Sequence, residues 1–170
     1  MKIYTKTGDK GETRLFNNLK VKKSNKIIEA IGSVDELIAW LGVLAEGTGG
    51  RGQRKEMFKK IQNNLMLINS QLAGYHTLNF NLETERLEKE IDEMEKKLPK
   101  LTNFIFPRGE IHIVRAVCRR AERRLASLSP VPHALSPLKY LNRLSDYLFV
   151  LARYVDWKKG KKELIWSAQG

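Results

Sequence analysis

Apolar residues recur at helical spacing through most of this chain. The series Ile27, Ile31, Val34, Ile38, Leu41 and Leu44 steps by threes and fours, and predicts a helix from an N-cap at Ser24 to about Glu46. A second helix is expected from about Arg54 to Tyr75, with Phe58, Ile61, Leu65, Ile68 and Leu72 on one face. Asn69, Ser70 and Gln71 break its apolar character near the end and are read as helix–helix hydrogen bonding. A third runs from an Asn81 cap through about Lys97. Its first turn holds Glu83 and Glu85 and its last turn Lys96 and Lys97, the polarity that the helix dipole favours. The fourth, Ile111 to Leu125, carries the stripe Ile111, Val114, Cys118, Ala121 and Leu125. The fifth runs from about Leu135 to Lys158, with Leu141, Leu144, Leu148, Leu151 and Val155 as its buried row. The Gly47–Gly52 connector and the breaker-rich Ser129–His133 are short, which favours antiparallel neighbours. Strand patterning is nearly absent outside the N-terminal loop, although Leu164-Ile165-Trp166 offers a short turn or strand. The fold class expected is all-α: an antiparallel bundle of about five helices behind an N-terminal Gly/Thr-rich loop.

Composition narrows this further. The 170 residues, 42% of them hydrophobic, suit one domain spanning 1–170. No apolar run approaches the ~20 residues that span a bilayer, and Met1–Lys6 lacks the apolar core of a signal peptide. Cys118 is the one cysteine, so no internal disulfide is possible and a cytoplasmic setting is expected; its place in an apolar stripe marks it as a core thiol. His76, His112 and His133 show no ligand spacing. The net charge of +12 points to anionic partners.

Five arginines stand close together on the fourth helix. Arg115, Arg119 and Arg123 form a row beside the apolar stripe, each four residues from the next, with Arg120 and Arg124 adjacent. Like charges at this spacing cost a few tenths of a kcal/mol per pair, and the single Glu122 cannot offset five arginines. A polyanion, or a carboxylate from another segment, would. Asp35, next to the first helix's stripe, is one such carboxylate. Thr5-Lys6-Thr7-Gly8-Asp9-Lys10-Gly11-Glu12-Thr13 has the glycines, hydroxyls and ammonium groups of a phosphate cradle. It lacks the Walker A order, and a plain surface turn would explain Gly8-Asp9 equally well. Between Pro99 and Pro107, Leu101, Phe104, Ile105 and Phe106 make an apolar connection that either folds onto the core or lines a hydrophobic ligand site.

Taken together, Thr5 to Gly11, Gly32-Ser33-Val34-Asp35-Glu36-Leu37, Cys118-Arg119-Arg120-Ala121-Glu122-Arg123 and Asn142-Arg143-Leu144-Ser145-Asp146-Tyr147-Leu148 resemble the PduO-type ATP:cob(I)alamin adenosyltransferases. The resemblance implies transfer of the 5′-deoxyadenosyl group of ATP to the cobalt of a reduced corrinoid, with release of triphosphate. It implies a homotrimer with active sites between subunits, Mg²⁺ held mainly through the ATP phosphates, and a corrinoid reductase as partner. By match to the family, Thr5, Lys6, Thr7, Gly8, Asp9, Gly11, Thr13, Arg14 and Lys23 would hold ATP, completed by Arg119, Arg120, Glu122, Arg123 and Asn142. Asp35 would pair with Arg119 across the subunit boundary. Phe104 would pack beneath the corrin ring and displace its lower ligand, unless it simply plugs the core. The competing class is a basic helical module that binds nucleic acid without enzymatic activity; neither a membrane nor a nucleic acid is expected as partner under the first reading.

Overall fold

A computed structural model describes residues 2–47, 53–75, 77–128 and 135–167. Their elements are a hairpin, β1 (Glu12–Arg14) and β2 (Lys20–Lys22), then α1 (Lys26–Gly47), α2 (Gln53–Leu72), α3 (Asn81–Glu95), α4 (Glu110–Ala126) and α5 (Leu135–Lys158). The all-α bundle expected from periodicity is the architecture observed. Most of the glycine connector, the breaker-rich segment before α5, His76 and His133 lie outside the described residues.

Three boundaries depart from the sequence reading, each for a local reason. The cap of α1 is Asn25, not Ser24: its carbonyl accepts the Glu29 N–H at 3.0 Å and its Oδ1 the Ile27 N–H at 2.9 Å. α2 stops at Leu72, short of Tyr75, because Gly74 at φ +90° closes the end. The Gly74 N–H reaches the Gln71 carbonyl and the Tyr75 N–H reaches the Ser70 carbonyl, both at 3.0 Å, which is a Schellman pair. A Cβ at residue 74 would stand 2.9 Å from Asn17 Nδ2, so the glycine also admits the hairpin. In α3 the cap is Phe80, with Asn81 the first helical residue. Phe80 is buried against Tyr140, ring centroids 5.8 Å apart, so packing fixes this entry instead of a side-chain cap.

α4 packs between α1 and α5; α2 lies on the far side of α1, and α3 on the far side of α5. Side chains close the circuit between α2 and α3: Lys60 pairs with Glu83 at 3.2 Å, and Asn64 Nδ2 donates to Glu83 Oε2 and to the Tyr140 hydroxyl. α5 is therefore covered on several sides, and Leu141, Leu144 and Leu148 are fully buried. Each such leucine contributes ~1.5–3 kcal/mol of burial. On α1 the fully buried row is Ala30, Val34, Leu37, Leu41 and Leu44, while Ile27, Ile31 and Ile38 are half-buried. The stripe is rotated from the expected one because α1 has two helical neighbours, α2 and α4. Asn69, Ser70 and Gln71 show bonds other than the helix–helix set expected. Ser70 Oγ donates to the Met66 carbonyl within α2, Gln71 Oε1 accepts the Leu78 N–H of the next connection, and the buried Asn69 Oδ1 has no hydrogen-bond partner among the described residues.

His112 sits in the first turn of α4 with 8% of its surface exposed and, among the described residues, no hydrogen-bond partner for Nδ1. Burial, then the nearby Arg115, pushes its pKa below the usual value near 6.5, with Asp156 of α5 opposing. The unfolded chain therefore binds a proton that the native one resists. Stability from the neutral ring is fully present above that ordinary value and is lost as pH falls through the lowered one. The melting temperature is expected to fall between about pH 7 and about pH 5 more steeply for the wild type than for His112→Gln. Equal slopes would show that the ring does not titrate against folding.

Candidate active site

The five arginines of α4 divide by their partners. Arg120 and Arg124 turn toward α1, where Arg120 engages Glu36 and Arg124 pairs with Glu29 at 3.0 Å. Arg115 is half-buried with its guanidinium 5.7 Å from the Phe149 ring centre and its Nε without a hydrogen-bond partner among the described residues; burial, then Arg119, lowers its pKa. Arg119 and Arg123 are exposed, and among the described residues neither has a carboxylate within 4 Å. Arg123 Nη1 folds back to donate to the Arg119 carbonyl at 3.0 Å. Beside them Asn142 Nδ2 of α5 donates to Glu122 Oε1 at 3.0 Å. Arg119, Glu122, Arg123 and Asn142 thus share the α4–α5 surface, whereas Arg120 is held on the α1 flank.

Asp35 is exposed on α1, about 100° around the helix from Glu36. Glu36 is the residue that faces α4, so Asp35 and Arg119 are not joined within one chain. The sequence reading missed Glu29 and Glu36 as α4's neutralising groups. Their spacing of seven, two helical turns on one face, was the available signal.

At the N-terminus the backbone curls as its glycines allow. Gly11 lies at φ +77° and Lys6 at φ +58°. The Gly11 N–H reaches the Gly8 carbonyl at 3.2 Å, and the Lys23 N–H reaches the Gly11 carbonyl at 2.8 Å. Lys23 Nζ lies so near Gly8 that a Cβ there would meet it at 3.2 Å. Thr5 and Thr7 share a hydroxyl hydrogen bond at 2.9 Å, and Asp9 bonds back to the Lys6 carbonyl at 3.4 Å. Thr13 sits in β1 opposite Val21, while Arg14 Nη1 donates to the Asn18 carbonyl at 3.2 Å, which turns its guanidinium to the hairpin.

Phe104 does not plug the core: it is 79% exposed. Its ring lies edge-on to Trp166, 6.1 Å away, and both border an open cavity of about 510 Å³ with Leu101, Asn103 and Ile165. The tail pairs with this connection through an isolated bridge between Ile105 and Ile165, so of the short turn or strand expected near Leu164–Trp166 the structure shows a single bridged position, and its partner is the Phe104 loop.

The two regions stand at opposite ends of the bundle. The Thr5–Gly11 loop joins the hairpin where α1 begins and α4 ends, as the Glu29–Arg124 pair fixes. The Phe104 loop lies where α4 begins, beside the end of α5. The 22 residues of α1 between these ends measure roughly 33 Å at ~1.5 Å per residue. No group of three or more His, Cys, Asp or Glu side chains among the described residues could hold a metal ion.

Residues 3–155 match the family described as cobalamin adenosyltransferase. The chain belongs to that family. Among its relatives, the human corrinoid adenosyltransferase MMAB is 40% identical over 183 residues, covering 97% of this chain and 73% of that protein. A corrinoid adenosyltransferase of Bacillus subtilis (strain 168) is 37% identical, covering 94% and 89%. In structure the chain is similar to a variant PduO-type ATP:corrinoid adenosyltransferase from Lactobacillus reuteri, complexed with cobalamin and ATP. There the TM-score is 0.86 at 29% identity, with 97% of this chain and 99% of that one covered. The adenosyltransferase fold is thus the bundle described above, and the stretches that carried the resemblance fall on the α4–α5 surface, on α1 and in the N-terminal loop.

Proposed function

We propose that this chain transfers the 5′-deoxyadenosyl group of ATP to the cobalt of a reduced corrinoid, giving an adenosylcorrinoid such as adenosylcobalamin, and triphosphate. The observation that carries this reading is the exposed Arg119–Arg123 row, without a carboxylate partner among the described residues and flanked by the Glu122–Asn142 pair, in a member of this family. Cobalt(I) is itself the nucleophile: its electron pair forms the bond to C5′ as the C5′–O5′ bond breaks, and triphosphate leaves with the pair of electrons from that broken bond. The protein's work is to aim the ribose and to stabilise the charge on the leaving group. Arg119 and Arg123 supply fixed positive charge for it. Glu122 and Asn142 orient the nucleoside, and Thr5, Lys6, Thr7, Gly8, Asp9, Gly11, Thr13 and Lys23 cradle the phosphates. Arg14 joins through the hairpin it closes, and Arg120 contributes through the α1 flank. Phe104 offers an exposed apolar face to the corrin. Mg²⁺ would come in on the ATP phosphates and offset part of their charge.

The distance between the N-terminal cradle and Phe104 supports a site built by more than one copy. The reading is a homotrimer in which Asp35 of one subunit meets Arg119 of the next, with a corrinoid reductase supplying the reducing electrons. Light scattering is expected to give the mass of three chains, and Asp35→Ala to weaken the assembly. Removing one member of a desolvated charge pair costs ~3–5 kcal/mol. A wild-type protein at monomer mass would overturn the trimer.

No described helix is long and apolar enough to cross a membrane, and the reading places the enzyme in the cytoplasm. The deciding experiment is an anaerobic mixture of protein, ATP and chemically reduced cobalamin, followed for the adenosylcobalamin spectrum. No product from the wild type, together with a salt-sensitive shift on DNA or RNA, would favour the nucleic-acid module instead.

A further inference from the structure

α5 buries one arginine that the reaction does not use. Arg153 has 5% of its surface exposed, and a guanidinium held out of water needs its donors matched. Its fork is engaged in two directions. Nε donates to Glu163 Oε1 at 2.6 Å, and Nη2 donates to the Pro99 carbonyl at 2.9 Å. Pro99 opens the connection that carries Phe104, and Glu163 opens the tail strand. Beyond these anchors the two segments pair antiparallel: the Phe106 N–H donates to the Leu164 carbonyl and the Trp166 N–H to the Phe104 carbonyl, both at 2.8 Å. On the far side Arg108 Nη2 donates to the Lys162 carbonyl at 2.6 Å. A two-stranded ribbon this short is marginal on its own. Its geometry depends on what ties it to the bundle, and Arg153 is the buried tie that reaches both strands.

We infer that Arg153 is a positioning residue for Phe104. Its fork fixes the start of the loop and the C-terminal strand to α5 together, so Phe104 and Trp166 present one apolar face to the corrinoid. The inference rests on the adenosyl-transfer reading and adds the device that sets where Phe104 stands. Glu163 is part of it: the tail is held by a charged, two-ended clamp. Lysine keeps the charge but lacks the planar fork, so it can serve Pro99 or Glu163 and not both. Loosening the clamp frees the Phe104 end of the bundle and leaves the phosphate cradle at the other end intact.

The test uses the full chain with Arg153→Lys and with Glu163→Gln, the second lying outside the helices and keeping an oxygen that can accept from Arg153 Nε while losing the charge, each variant read beside its melting temperature. Native-state hydrogen exchange at the Phe106 and Trp166 amides is expected to speed up by about tenfold or more in both variants. The KM for the corrinoid is expected to rise about tenfold while that for ATP stays within about twofold. In a Phe104→Ala background, Arg153→Lys should add little further loss, because the group being positioned is gone. Unchanged exchange at the two amides would overturn the assignment. So would losses for both substrates that simply follow the melting temperature. Product from the wild type without the KM split rejects only the clamp, whereas no product from the wild type rejects the transfer reading itself.

Discussion

Arg119→Ala is expected to cut adenosyl transfer by about 10²–10³-fold, the scale seen when one preorganised donor to developing charge is removed. The fold should survive. Arg119 is exposed on α4, and its backbone carbonyl, the acceptor for Arg123, is untouched by the substitution. Relief of the repulsion with Arg115, whose pKa it lowers, should even favour the isolated helix slightly. Arg119→Lys keeps the charge but loses the fork that meets two phosphate oxygens at once, so an intermediate loss is expected. Because Arg119 is also the proposed partner of Asp35, the kinetics must be read beside the assembly state. If Asp35→Ala matches Arg119→Ala in both mass and rate, the arginine acts through assembly. If Arg119→Ala stays trimeric and slow, it acts on the phosphates. Unchanged kinetics with a normal melt would make Arg119 mere surface.

Much of this was readable from the chain alone, and the reasons differ by element. The stripe of α4 is simple because Ile111, Val114, Cys118, Ala121 and Leu125 meet neighbours on one broad face, and all five are buried. α1 misled because two flanking helices shift its buried row toward Ala30 and Leu37, residues that periodicity alone weights no more than Ile31 or Ile38. The caps at Asn25 and Phe80 depend on turns and on a tertiary ring contact, neither written in helical spacing. The surplus charge of α4 was visible, but its division was not. Arg120 and Arg124 meet Glu36 and Glu29 only once α1 and α4 run antiparallel. Arg153 gave no signal at all: an arginine among leucines near a helix end reads as a snorkelling surface residue until Pro99 and Glu163 are seen to converge on it.

Phe104→Ala should separate the two ends of the molecule. With 79% of its surface exposed, the ring contributes little to the core, and truncation is expected to change stability by about 0.5 kcal/mol or less. A buried phenylalanine would have cost ~3–5 kcal/mol, so the thermal melt alone tests its placement. Activity should respond differently with the state of the cobalt. Displacing the lower ligand makes cobalt(II) easier to reduce, so the variant is expected to lose about a hundredfold with cobalt(II) and reductant, ~2.7 kcal/mol at ~1.36 kcal/mol per tenfold. With chemically pre-reduced cobalt(I) the loss should be much smaller, because that reduction has already been done. ATP affinity should barely move, since the proposed phosphate cradle at Gly8 and Lys23 stands at the opposite end of the bundle. Electron paramagnetic resonance of the cobalt(II) complex reads the same event directly: the four-coordinate signal should vanish in Phe104→Ala. A variant that keeps that signal, or that loses activity equally with both cobalt states, would remove Phe104 from the lower face of the corrin and leave Trp166, its edge-on neighbour, as the aromatic to test.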